Sequence, residues 1–142
     1  MKFKKNIAPH QSLGILYSLV AFVLFITTSC TTADQSYGHL LSPRAVVSKI
    51  ESTTDLIVVD VRTPAEYNDG HIEGAQLINW NDSQFENQIN QLDKSKPIVV
   101  YCAVGGRSGK AYARLKTLGF KEVFDMKGGF DAWRKEQLPI SK

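Results

Sequence analysis

The stretch Val99-Val-Tyr-Cys-Ala-Val-Gly-Gly-Arg-Ser108 decides how this chain is read. Together with Ile98 it begins as a continuous apolar, β-branched run, which suits a strand covered on both faces of a parallel sheet. A six-residue loop, Cys102 to Arg107, follows, and the chain then takes on helical spacing. Ala111, Leu115 and Leu118 share one face of a helix expected over Arg107–Leu118, with Gly119 as its stop. Gly105 and Gly106 let the loop curl tightly, so that successive backbone N–H groups point inward. Those donors, the positive end of the helix and Arg107 all favour negative charge at the loop centre. Cys102 opens the loop, and its thiolate is stabilised there, with a pKa expected below the ~8.5 of a free thiol. A lone cysteine after an apolar strand is ordinarily a small core residue. Two glycines and an arginine within the same six residues point instead to a nucleophile.

Outward from this stretch, three more apolar runs read as strands: Leu56-Ile-Val-Val59, Ala75-Gln-Leu-Ile78 and Val123-Phe124. Helical segments lie between them. Ser42-Pro43 opens one as N-cap and first helical residue, leading to Ala45, Val46 and Ile50. Thr63-Pro64 opens a short second one through Tyr67, closed by Asp69-Gly70; Phe85, Ile89 and Leu92 keep helical spacing in a third. A last helix begins near Phe130 and carries Trp133. Strands alternating with helices predict an α/β layered domain, which binds ligands where strands end and helices begin.

The 142 residues have room for one domain and hardly for two. The formal charge of +3 comes from the start of the chain, where Lys2, Lys4 and Lys5 stand and no acid precedes Asp34. From residue 30 onward acids and bases balance, so nucleic acid is not an expected partner. Two cysteines, Cys30 and Cys102, make no disulfide framework, and no cluster with His10, His39 or His71 offers a metal site.

Residues 1–29 read as a signal peptide: a basic Met1–Lys5, an apolar Leu13–Ile26 too short for an ordinary membrane span, then Thr27-Thr28-Ser29. The alternative is a buried helix of the domain. The ending at Cys30 resembles the lipobox of bacterial lipoproteins, although Thr27 stands where that motif has an aliphatic residue. The resemblance implies lipidation of Cys30 and a membrane anchor, with export to the bacterial cell envelope facing the periplasm. Residues 30–38 are then a tether and 39–140 the folded domain.

In the domain itself, Cys102-x-x-Gly105-x-Arg107-Ser108 resembles the active-site loop of the rhodanese family. Asp60-Val-Arg62, Glu66-Tyr67 and Gly70-His71-Ile72-x-Gly74-Ala75 follow that family's upstream pattern in order, and Gly128-Gly129-Phe130-x-Ala132-Trp133 resembles its C-terminal signature. The resemblance covers about Leu40 to Leu138. It implies a three-layer α/β domain, a central mostly parallel sheet with helices on both faces. It also implies sulfur transfer: Cys102 takes a sulfane sulfur from thiosulfate or a persulfide and passes it to a thiol or cyanide.

On that reading Ala103, Val104, Gly105, Gly106, Arg107 and Ser108 bind the substrate, Arg107 meets an anionic donor, and Asp60 and Arg62 hold the surrounding loops. Lys110 either adds positive potential or is a solvated surface residue. His71 is scaffold and Trp133 core, while Trp80 either walls the pocket or covers the core. No cofactor or metal is expected. In an oxidising compartment a low-pKa thiol needs protection, so turnover there is expected to need a reducing partner, such as a thioredoxin-like reductant, or a supply of reduced sulfur. Two rival functions remain. Phosphatases and arsenate reductases resembling this pattern have seven residues from cysteine through arginine, and this chain has six. Non-catalytic binding modules of the family usually lack the cysteine.

Overall fold

A computed structural model describes residues 38–142 of the chain. Strands β1 (Leu40–Leu41), β2 (Ile57–Asp60), β3 (Gln76–Leu77), β4 (Ile98–Tyr101) and β5 (Val123–Met126) alternate with helices α1 (Pro43–Ser52), α2 (Pro64–Asp69), α3 (Phe85–Ile89), α4 (Gly106–Thr117) and α5 (Gly129–Lys135). The strands form one parallel sheet in the order β1-β5-β4-β2-β3.

β4 lies at the centre, and all its residues are buried, as a continuous apolar strand requires. Its alternation feeds two cores. Ile98, Val100 and Cys102 pack with Val59, Phe85, Ala111 and Leu115 on the side of α3 and α4. Val99 and Tyr101 pack with Val46, Ile72, Phe130 and Trp133 on the side of α1 and α5. The result is the three-layer α/β domain expected from the sequence. Each of these large apolar side chains contributes roughly 1.5–3 kcal/mol by leaving water.

Local chemistry sets the helix starts. The Ser42 hydroxyl accepts from the Ala45 N–H at 3.2 Å, with Pro43 at the first helical position. Thr63 and Glu66 form a reciprocal capping box at the head of α2.

Several boundaries differ from the sequence reading: β2 is shifted by one residue, to Ile57–Asp60, β3 shrinks to Gln76–Leu77, and α4 ends at Thr117. β1 was not among the expected strands; a two-residue segment carries too little periodicity to register. β5 continues past Phe124 to Met126, because Asp125 is a strand residue despite its charge. α3 ends at Ile89, with Leu92 packed on the core just beyond it. α4 begins at Gly106 rather than Arg107, so the free loop is shorter than six residues. Only Gly105 turns it, with φ of 107° in the left-handed region; Gly106 is already helical. Residues 1–37, with the apolar run and Cys30, lie outside the described residues. Among the described residues no helix is long and apolar enough to cross a membrane.

Candidate active site

β4 delivers Cys102 to the carboxyl end of the sheet's central strand, and the residue is almost wholly buried at 1% exposure. The Gly105 N–H donates to Cys102 Sγ at 3.1 Å. Burial pushes the thiol pKa up. Hydrogen bonds from the Ser108 hydroxyl and from the backbone N–H groups of Ser108, Gly105 and Val104 more than offset it, and the thiol lies below its ordinary range. The loop is therefore a ring of donors around one sulfur, with Val104 standing 67% exposed on it.

The back of the loop is held by α5. The Phe130 N–H donates to the Cys102 carbonyl at 2.7 Å, and the Asp131 N–H to the Ala103 carbonyl at 3.0 Å. With both carbonyls turned toward α5, the loop's N–H groups are left to face the sulfur. This approach needs Gly129: a Cβ there would lie 2.4 Å from the Cys102 carbonyl oxygen. Gly128 and Gly129 also take positive φ, 74° and 60°.

Arg107 is engaged. Its Nη1 and Nη2 donate to the two carboxylate oxygens of Glu66 at 2.8 and 2.6 Å, joining the first turn of α4 to the first turn of α2. Arg107 pulls the Glu66 carboxyl down to about 2. Ser108 is fully buried, and its hydroxyl donates to the Gly105 carbonyl at 3.3 Å. Lys110 is exposed on the outer face of α4.

Asp60 and Arg62 are a buried pair beneath this apparatus. Arg62 Nε donates to both Asp60 carboxylate oxygens at 3.0 and 2.9 Å, and Nη2 reaches Asp60 Oδ2 and the Gly70 carbonyl at 2.6 Å each. The guanidinium also sits 4.0 Å from the ring centroid of Phe130. It thus ties β2 and the end of α2 to the helix that clamps the loop. His71 stacks on Tyr67, with Nδ1 3.1 Å from the Tyr67 carbonyl. Trp133 is core, and its Nε1–H donates to the Pro139 carbonyl at 2.8 Å. Trp80 packs edge-on against Phe85 on the side of α3 and α4.

Sequence reasoning gave no role to Glu66 or Asp125, nor to the N–H groups of Phe130 and Asp131. The spacing Thr63-x-x-Glu66 is a capping signal, but nothing local reveals a partner 41 residues away. Among the described residues no group of three or more His, Cys, Asp or Glu side chains is gathered to hold a metal ion.

Residues 42–136 match the family model of the rhodanese-like domain. The thiosulfate sulfurtransferase GlpE of Shewanella oneidensis is 36% identical over 100 residues, covering 70% of this chain and 95% of that protein. "Probable adenylyltransferase/sulfurtransferase MoeZ" of Mycobacterium tuberculosis is 34% identical over 107 residues, and the chain spans only 27% of it. The rhodanese-related protein of Thermoplasma volcanium superposes with a TM-score of 0.65 at 28% identity, covering 72% of this chain and 97% of that one. The match to the family model takes in α1 through α5 and the Cys102 loop, and the chain belongs to the rhodanese-like domain family.

Proposed function

We propose that this chain is a sulfurtransferase that carries sulfane sulfur as a persulfide on Cys102. The donor ring around the sulfur, with the Gly105 N–H at 3.1 Å, is the observation that carries this reading. The Cys102 thiolate attacks the outer sulfur of thiosulfate, the S–S bond breaks, and sulfite leaves with the bonding electrons. The terminal sulfur of the new persulfide is anionic and takes up the loop's N–H donors. An acceptor thiolate, or cyanide, then attacks that sulfur and returns Cys102 as thiolate. Neither step consumes a proton, and no cofactor enters.

Ala103, Val104, Gly105, Gly106 and Ser108 form the binding loop on this reading. Arg107 contributes through its field, its tether to Glu66 and its remaining N–H groups, which act on Cys102. A persulfide stands beside thiosulfate as a donor. Asp60 and Arg62 support the clamp.

Intact mass of the full chain before and after thiosulfate or a persulfide donor tests this, with Cys102→Ser as control. A gain of about 32 Da that cyanide removes and the variant lacks is the expected result. No gain on a reduced thiol, or turnover of an aryl phosphate instead, overturns it. We further propose that the chain is exported and anchored through a lipidated Cys30 in the cell envelope, served by a thioredoxin-like reductant. Mass spectrometry of the N-terminal peptide from membranes tests the anchor. Full activity of the exported protein with every thiol reductant removed would rule out the need for that partner.

A further inference from the structure

Arg107 is the one charged side chain from Cys102 to Ser108, and it does not stand at the loop as a free cation. Glu66 accepts from its Nη1 at 2.8 Å and from its Nη2 at 2.6 Å. The carboxylate is itself held from the head of α2. Glu66 Oε2 also accepts from the Thr63 N–H at 3.0 Å and from the Thr63 hydroxyl at 2.7 Å. Four hydrogen bonds from two parts of the chain thus fix it, and it cannot swing away from Arg107 without losing them. It also stays ionised through the neutral range, because Arg107 and the Thr63 donors hold the carboxyl at about 2.

The other charges around the loop balance as well. Arg62 is buried against Asp60 at 2.6 Å. Asp131, whose N–H reaches the Ala103 carbonyl, brings an exposed acid, and Lys110 an exposed base. What remains to hold an anion is the loop backbone, with the Gly105 N–H at 3.1 Å from the sulfur. Those donors favour one negative charge on the reacting sulfur. A second charge elsewhere on the donor finds no unpaired arginine fork, and Glu66 repels it. Salt damps that repulsion only beyond about 10 Å, and Glu66 touches a loop residue directly.

We propose that Glu66 is a specificity-determining residue that sets the site for sulfur donors of low net charge, organic persulfides and thiosulfonates, over doubly charged thiosulfate. The inference rests on Cys102 as the sulfur carrier. The step is the same for each donor: the Cys102 thiolate attacks the outer sulfur and the bond to the rest of the donor breaks. A thiolate, a sulfinate or sulfite leaves with the bonding electrons.

The test is a charge series on the full chain, with cyanide as acceptor. Aminoethanethiosulfonate, methanethiosulfonate and thiosulfate present the same outer sulfur on donors that are neutral overall, singly negative and doubly negative. Glu66→Gln removes the charge and keeps a residue that a capping box accepts. The expected result is a graded rise in kcat/KM: little for the neutral donor, about threefold for thiosulfate, methanethiosulfonate between them, and all compressed by added salt. Glu66→Asp keeps the charge and should keep the wild-type spacing of the three donors. Equal changes for all three in Glu66→Gln would trace to the thiolate or the fold, and they overturn the proposal. So does a Glu66→Asp variant whose spacing matches Glu66→Gln. A wild type that takes sulfur from none of the three overturns the sulfurtransferase reading together with this inference.

Discussion

Helices α4 and α5 both follow a strand through paired glycines, Gly105-Gly106 and Gly128-Gly129, and both take a left-handed glycine as N-cap with no side-chain cap. Their surroundings differ. At α5 the first N–H groups are spent on the Cys102 and Ala103 carbonyls, and a Cβ on Gly129 has no room. At α4 the N–H groups turn to the Cys102 sulfur, and a Cβ on Gly105 or Gly106 would meet nothing within 4 Å. One glycine pair is a clamp and the other a receptacle. A helix start with free donors becomes a site only when a second element holds the loop so that those donors converge.

The clamp side should break hardest. Arg62→Met leaves Asp60 charged and buried without its partner, and a loss of about 3–5 kcal/mol is expected in denaturant unfolding. Gly129→Ala follows: its Cβ collides with backbone at a positive φ, so a loss of roughly 3 kcal/mol is expected. The same variant should lose persulfide loading, because the loop is pushed off its geometry. Stability retained with loading intact would show that α5 is no clamp.

The receptacle side should respond in function more than in stability. Glu66→Gln frees the Arg107 fork, and the KM for thiosulfate is expected to fall about threefold. Its stability cost should stay below about 1 kcal/mol, because both side chains are partly solvated. The wild-type pair also carries a pH signature. Glu66 sits at about 2 against an ordinary 4.5, so its contribution is complete above pH 4.5 and fades as pH falls toward 2. Glu66→Gln should flatten that acid limb in a Tm-against-pH series. Gly106→Ala is the smallest change: a helical position with open space should shift stability by at most about 1 kcal/mol, in the stabilising direction. A large loss there would erase the contrast.

The β4–α4 unit was legible because its signals are local: an uninterrupted apolar run, a glycine turn and a helical stripe in consecutive residues. Ser42-Pro43 and Thr63-Pro64 marked their helices for the same reason, through chemistry within one turn. The clamp was not legible. Phe130 and Asp131 act through backbone N–H groups, which every residue but proline carries, and their partners lie in another element. Arg107 was legible as a loop cation but not as one already paired with Glu66. Asp125 was hidden by its own charge, which cut the reading of β5 short although the strand continues through it.

β1 and β3, each two residues long, border the sheet. Sheet borders carry unpaired backbone groups on which a neighbouring chain can dock, and long flat ones seed aggregates. Borders this short give an incoming strand almost nothing to align with. Copies crowded side by side would therefore find no strand edge long enough to zip together through.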